Sequence, residues 1–256
     1  MVAAPLVIVS EELCETVDLR ARQTVLDVAT GNGNTALAAA RRRCAVTGVD
    51  LVPKLLERAR RRAEAEGLRV QFLEGDAERL AFPDASFDVA LSTFGVMFAA
   101  DPDRAASELL RVCRPGGSIG LANWVDQGFT GSLLAEVARR LPPSLGLSRM
   151  MEWGFAEGLE RLIGASVERL SLKPRTVRLR ADSVESLVGG LERFLSPVVV
   201  AYRALPEEER MRFHDDLLRR VRAANRAMDG SVLVESDYVE VVARRRSDGN
   251  GPKQAI

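Results

Sequence analysis

The chain has 256 residues, 46% of them apolar and 28% charged, and its 36 Lys and Arg are balanced by 36 Asp and Glu. Such a composition suits a folded chain of one or two domains and excludes wholesale disorder, and a zero formal charge takes weight from general nucleic-acid binding, which goes with a basic excess. Three cysteines, Cys14, Cys44 and Cys113, lie far apart with no CxxC pair and no neighbouring histidine, as expected in a reducing cytoplasm and for neither a disulfide framework nor a zinc site.

The apolar opening at 1–10 has no basic start and is broken by Pro5. It is read as neither a signal peptide nor a membrane span, and no later apolar run reaches the ~18 residues a span needs. Thr24 to Ala29 is a compact β-branched run ending in Thr30-Gly31-Asn32-Gly33, and Ala-rich Asn34 to Arg43 then reads as a helix. Ala45 to Val49 is a second strand ending at Asp50, followed by a helix over Pro53 to Glu66 with proline in its first turn and Gly67 as its stop. Val70 to Leu73 is a third strand, leading into Glu74-Gly75-Asp76, and Phe87 to Leu91 is a fourth, leading into Ser92-Thr93-Phe94-Gly95. Arg104 to Val112 is helical and stops at Arg114-Pro115-Gly116-Gly117; Ser118 to Ala122 is a fifth strand. Strands alternating with helices predict a parallel, doubly wound sheet, which binds ligands beyond the carboxyl ends of its strands.

The second half predicts helices over Gly131 to Leu141 (closed by Pro142-Pro143), Glu157 to Ile163, Val184 to Leu195 and Glu207 to Met228. Val167 to Arg180 alternates around Pro174, giving one bent strand or two, and Tyr238 to Ala243 is the last strand. The polar, Gly/Pro-rich segment 247–256 is expected to be a disordered tail.

Every predicted strand end carries something polar or glycine-rich. Gly31-x-Gly33-x-x-Ala36 follows a strand and opens a helix, where bare backbone and free N–H groups meet a ligand. Asp50 follows Gly31 by 19 residues, the spacing of an acid that bonds a ribose diol. Those two features fit a nicotinamide dinucleotide as well as another adenosine ligand. Asp27 and Asp76 separate the two, because nearby carboxylates serve a pyrophosphate poorly and an ammonium and a sulfonium well.

In order, Val25-Leu26-Asp27-Val28-Ala29-Thr30-Gly31-Asn32-Gly33-Asn34, Val49-Asp50, Gly75-Asp76-Ala77-Glu78, Phe87-Asp88-Val89 and Arg111-Val112-Cys113-Arg114-Pro115-Gly116-Gly117 resemble the motifs of class I S-adenosylmethionine-dependent methyltransferases. The branch most similar is that of the ubiquinone/menaquinone-biosynthesis enzymes. The resemblance covers roughly residues 23 to 124 and departs from the pattern at Asn32, where the family often has Thr. It implies an α/β, Rossmann-like, seven-stranded, mostly parallel sheet with an antiparallel last strand and a C-terminal helical cap insertion. The corresponding boundaries are 1–181 with 232–246 for the core and 182–231 for the cap.

It also implies roles. Asp27, Thr30, Gly31 and Gly33 would line the methionine part of the cofactor, and Asp50 the ribose, with Leu51 against the adenine. Asp76 would accept from the adenine amino group with Ala77 alongside, and Ser92 and Phe94 would flank the methyl end. Only about 22 residues precede the first strand, so enclosure of the cofactor would fall to the C-terminal helices or to a partner chain, and a homodimer stays open. The function implied is methyl transfer from S-adenosylmethionine to a small molecule, leaving S-adenosylhomocysteine. An S-adenosylmethionine-binding enzyme of non-methyl chemistry and a non-catalytic ligand-binding subunit of the same fold are the alternatives. No metal, nucleic acid or membrane is expected. His214, the sole histidine, shares a helical spacing with Met211, Leu218 and Val221 and is the candidate base; a half-buried helix histidine is the plainer reading.

Overall fold

A computed structural model describes residues 4–141 and 147–247. Pro142, Pro143 and all of the expected tail except Ser247 lie outside the described residues. The first half runs α1 (Ala4–Thr16), β1 (Thr24–Val28), α2 (Asn34–Arg41), β2 (Ala45–Asp50), α3 (Pro53–Ala65), β3 (Val70–Glu74), β4 (Phe87–Thr93), α4 (Pro102–Val112) and β5 (Cys113–Trp124). The second runs α5 (Gly128–Arg140), α6 (Ala156–Ile163), β6 (Val167–Ala181), α7 (Val184–Phe194), α8 (Ser196–Ala204), α9 (Glu207–Ala224) and β7 (Val232–Arg245).

The sheet has seven strands in the order β3-β2-β1-β4-β5-β7-β6. β1 to β5 pair in parallel, and β7 runs antiparallel between β5 and β6. This is the Rossmann-like sheet with an antiparallel last strand that the motifs predict. The chain steps outward from β1 to β3 and then returns to β4 on the other side of β1, so a crevice opens at the carboxyl ends of β1 and β4.

Strand alternation builds the two halves of the core. On one face, Val25, Val46 and Leu91 pack under Leu13 of α1, Leu37 of α2 and Leu56 and Ala59 of α3. The neighbouring residues Leu26, Val28, Ala90 and Ile119 face the other way, onto Leu109 of α4 and Leu159 of α6. A third cluster joins α5, α7, α8 and α9 to Leu179, Val232 and Val234 at the far end of β6 and β7. Local signals agree with these packings. Asp101 caps α4, accepting from Asp103 N and Arg104 N at 3.1 Å each, and Pro53 and Pro102 sit in first turns.

Two features depart from the sequence expectation, and one alternative it leaves open is resolved. α1 stands where only an apolar leader is read: Val9, Leu13, Cys14 and Val17 are buried at helical spacing, but Pro5 and an apolar face on both sides hide the period. The segment from 167 is one strand, because β6 is the outermost strand and Pro174 there breaks no ladder on its free side. β7 begins at Val232, not Tyr238: Val232, Val234 and Ser236 face inward, while Glu235 and Asp237 between them conceal the alternation.

Candidate functional site

A cavity of about 750 Å³ opens at the carboxyl ends of β1 to β5. Asp27, Thr30, Gly31, Asp50, Leu51, Asp76, Ala77 and Phe94 all line it, although they come from four strand ends. Gly31 keeps φ 58 and a Cβ there would meet nothing within 4 Å, so the loop turns its bare backbone to open space. Gly33 has the other glycine role: it starts α2 at φ 87, and a Cβ would press on Ala59 Cβ at 3.0 Å and Phe72 Cζ at 3.2 Å. It seats helix against strand and does not line the cavity. Arg62 braces the loop from behind, donating through Nη1 to Asn32 O at 2.8 Å and Asn34 Oδ1 at 2.6 Å.

The floor is acidic. Asp27 is 1% exposed, and its Oδ2 accepts from Thr30 Oγ1 at 2.5 Å and Ala36 N at 2.9 Å. Burial pushes its pKa up to about 7 against those two donors, and the charge of Asp50 adds to the rise. Both hydrogen bonds fall on one oxygen, which leaves Oδ1 for a ligand. Asp50 accepts Val52 N on Oδ1 and Gly31 N on Oδ2, each at 2.8 Å, so the end of β2 ties down the glycine loop. Burial raises its pKa too, and the two backbone donors oppose the rise. Asp76 Oδ1 accepts Glu78 N at 2.9 Å, closing a tight turn after β3. Above this floor Leu51 is 62% exposed, an apolar side chain with no protein cover.

The wall beyond the floor is apolar. Phe94 stacks on Trp124 with ring centroids 3.8 Å apart and an interplanar angle of 13°, and its edge meets Tyr238 at 5.5 Å. Phe94 and Ala29 both hold φ 54, left-handed conformations that a non-glycine residue keeps only where its surroundings impose them. Leu6 of α1, Phe98, Leu179 and Leu191 and Leu195 of α7 and its exit complete the wall. Thus the N-terminal helix and the C-terminal helices both cover the cavity within one chain. Ser10, Thr35 and Thr93 form a hydroxyl chain from α1 to β4, with oxygen separations of 3.0 and 2.7 Å. Leu6 and Ser10 carry no signal in the sequence because the helical period of α1 is hidden there, and Thr35 carries none of its own.

Besides Gly33, two more expected site residues lie outside the lining. Ser92 is fully buried; its Oγ donates to Val28 O at 2.7 Å and accepts Val96 N at 2.9 Å. It locks β4 to β1 under the cavity and is absent from the lining. His214 stands on α9, whose inward residues are Phe213, Leu217 and Val221, so the buried stripe runs one position to the side of the expected one and Met211 is 59% exposed. Its Nδ1 lies 2.5 Å from Glu192 Oε1, with the Tyr202 hydroxyl beside both, and none of the three residues lines the cavity. The histidine ties α9 to α7 through Glu192.

A protein-family model described as a methyltransferase domain matches residues 26–121, the stretch that forms the acidic floor. The uncharacterized protein Rv1405c of Mycobacterium tuberculosis is 35% identical over 224 residues, covering 87% of this chain and 81% of that protein. The demethylmenaquinone methyltransferase of Thermus thermophilus is 40% identical over 131 residues, covering 50% of this chain and 60% of that protein. Among solved structures, the YcgJ protein of Bacillus subtilis matches with a TM-score of 0.62 at 20% identity, over 94% of this chain and 99% of that one. The [4+2]-cyclase SpnF matches with a TM-score of 0.59 at 23% identity, over 94% of this chain and 82% of that one. The chain belongs to the family that includes Rv1405c, and its fold is that of the class I methyltransferase-like superfamily of S-adenosylmethionine-using enzymes.

Proposed function

We propose that the cavity holds S-adenosylmethionine and that this chain transfers its methyl group to an apolar small molecule. The observation that carries this reading is the set of four carboxylates, Asp27, Asp50, Asp76 and Glu78, in one cavity whose lining holds a single cation, Arg58, among the described residues. A cofactor with an ammonium and a sulfonium suits that field and a pyrophosphate does not. Asp27, through its spare oxygen, and the backbone of Thr30 and Gly31 would hold the methionine part. Asp50 would take the ribose hydroxyls, uncovered Leu51 the adenine face, and Asp76 with Ala77 the adenine edge. Bound there, the cofactor supplies a methyl group on positively charged sulfur.

The protein's own contribution is orientation and dryness. No His, Cys, Tyr or Lys lines the cavity among the described residues, and Glu78 accepts Asp101 N on Oε1, so the wall offers no dedicated base. The substrate's nucleophile therefore ionises by its own chemistry or carries no proton to lose. The test is an S-adenosylhomocysteine-release assay over apolar phenols, quinols, thiols and amines, with mass analysis of products. A methylated product with stoichiometric release is expected. Binding of the cofactor with no methylated product from any class would sink methyl transfer and favour the other chemistry the fold supports, since SpnF is named a [4+2]-cyclase.

Two variants check the surroundings. His214→Ala is expected to leave S-adenosylhomocysteine affinity unchanged in calorimetry. It should cost at most about 1 kcal/mol of stability, since the pair with Glu192 is 44% exposed on the histidine side. Phe194 of α7 is 48% exposed at the cavity mouth, with Arg58 of α3 6.0 Å over its ring. This contact spans the mouth, so Phe194→Ala should speed cofactor release about fivefold in stopped-flow fluorescence, for a contact worth about 1 kcal/mol.

A further inference from the structure

The arginine runs at 41–43 and 60–62 divide in the structure. Arg41 and Arg42 turn to Glu11, Glu15 and Glu66, Arg61 to Glu57, and Arg62 to the glycine loop. Arg43 and Arg60 turn elsewhere and, with Arg22 and Arg69, line a second cavity of about 850 Å³. These four arginines come from four segments: the turns before β1, β2 and β3, and the middle of α3. The cavity lies at the amino ends of β2 and β3, whereas the acidic cavity lies at the carboxyl ends, so β2 has Val46 in one and Asp50 in the other.

Its charge is one-sided. Glu64 is the only carboxylate on the rim, and none of the four arginines forms an ion pair among the described residues. Arg60 uses Nη2 on Phe72 O at 2.7 Å. Arg22 and Arg43 hold left-handed backbone at φ 73 and φ 64, joined by Arg22 N donating to Arg43 O at 2.9 Å, a conformation that long side chains rarely take. Between the guanidinium groups the floor is apolar, made by Val46, Leu68 and Val70. Four cations beside one carboxylate repel one another until an anion joins them, and the guanidinium fork matches phosphate oxygens two at a time. The chain as a whole has no basic excess and the four arginines border one groove, which fits a small polyanion and not a long nucleic acid.

We infer that this groove is a second binding site, for a small polyphosphate carrying a flat ring, of the nucleoside-triphosphate class, with the ring on the apolar floor and the phosphates on Arg22, Arg43, Arg60 and Arg69. The site is independent of the acidic cavity and of the reaction proposed there.

The experiment is calorimetric titration of the full chain with ATP, GTP, inorganic tripolyphosphate and adenosine, at moderate salt, with S-adenosylhomocysteine present to occupy the acidic cavity. One-site binding of both nucleotides, weaker binding of tripolyphosphate and none of adenosine is expected. Arg43→Gln with Arg69→Gln should weaken nucleotide binding by about tenfold for each arginine removed, while Asp50→Ala leaves it unchanged. The double variant should melt no lower than wild type, because it relieves repulsion; if it does not fold, Arg22→Gln and Arg69→Gln singly read the same loss. Absence of nucleotide binding, binding that the arginine variants leave intact, or binding lost only in Asp50→Ala would each overturn the inference. So would tight binding of a 20-nucleotide single-stranded RNA without binding of ATP.

Discussion

Asp50→Ala is expected to weaken S-adenosylhomocysteine binding by about 100-fold or more while the chain still folds. The carboxylate is 8% exposed at the end of β2 and reaches two sides at once: Val52 N and Gly31 N on the protein, and the space of the cavity on the other. Each ribose hydroxyl lost would forfeit a hydrogen bond to a charged acceptor, worth about 1.5–3 kcal/mol, and two together correspond to about 100-fold or more in affinity. The loop also loses its acceptor at Gly31, so part of the loss comes from glycine backbone that is no longer held in place. Asp50→Asn keeps one acceptor oxygen and should lose less, about tenfold. Calorimetry gives the affinities and thermal melting verifies the fold; an Asp50→Ala protein that folds and binds with wild-type affinity would remove the ribose role.

The second large effect is a pH dependence of binding set by Asp27. With its pKa pushed up to about 7 by burial, Asp27 is mostly protonated at pH 6 and mostly ionised at pH 8 in the free protein. A ligand ammonium beside it favours the ionised form. Binding of S-adenosylhomocysteine should therefore tighten about tenfold from pH 6 to pH 8 and release a proton near neutrality. Asp27→Asn should bind weakly and lose that slope. The stability of the free protein runs the other way. An unfolded Asp titrates near 4, so between about pH 4 and pH 7 the folded chain holds a proton that the unfolded chain has lost. Stability from this group is full below that window and falls as pH rises through it. Wild type should thus lose a few kcal/mol relative to Asp27→Asn between pH 5 and pH 8, read as a difference in thermal midpoint. A slope of the opposite sign would show that Asp27 is ionised in the empty cavity.

The floor of the cavity was legible because each of its residues is fixed by short-range geometry. A strand followed by a glycine turn places Asp27 and Gly31, and the next strand end places Asp50 at a set distance along the chain. Of the covering wall Phe94 was legible, but the rest was not, because it is assembled from distant segments: Leu6 from α1, Leu191 and Leu195 from α7 and its exit. Single apolar residues carry no sign of which surface they face. Ser92 and His214 show the limit from the other side. A serine at a strand end and a lone histidine beside an apolar stripe have the chemistry of site residues, yet backbone groups consume the first and Glu192 the second. The arginines at 41–43 and 60–62 look alike along the chain, and only the fold shows that they part company.

The most direct test of the cofactor is calorimetric titration of the wild-type chain with S-adenosylhomocysteine beside NADH. For the acidic cavity, saturable one-to-one binding of S-adenosylhomocysteine, tighter at pH 8 than at pH 6, with NADH unable to displace it, is the predicted result. NADH held in the same cavity in preference, or no uptake of S-adenosylhomocysteine at either pH, would contradict the assignment of the acidic floor to a cationic cofactor.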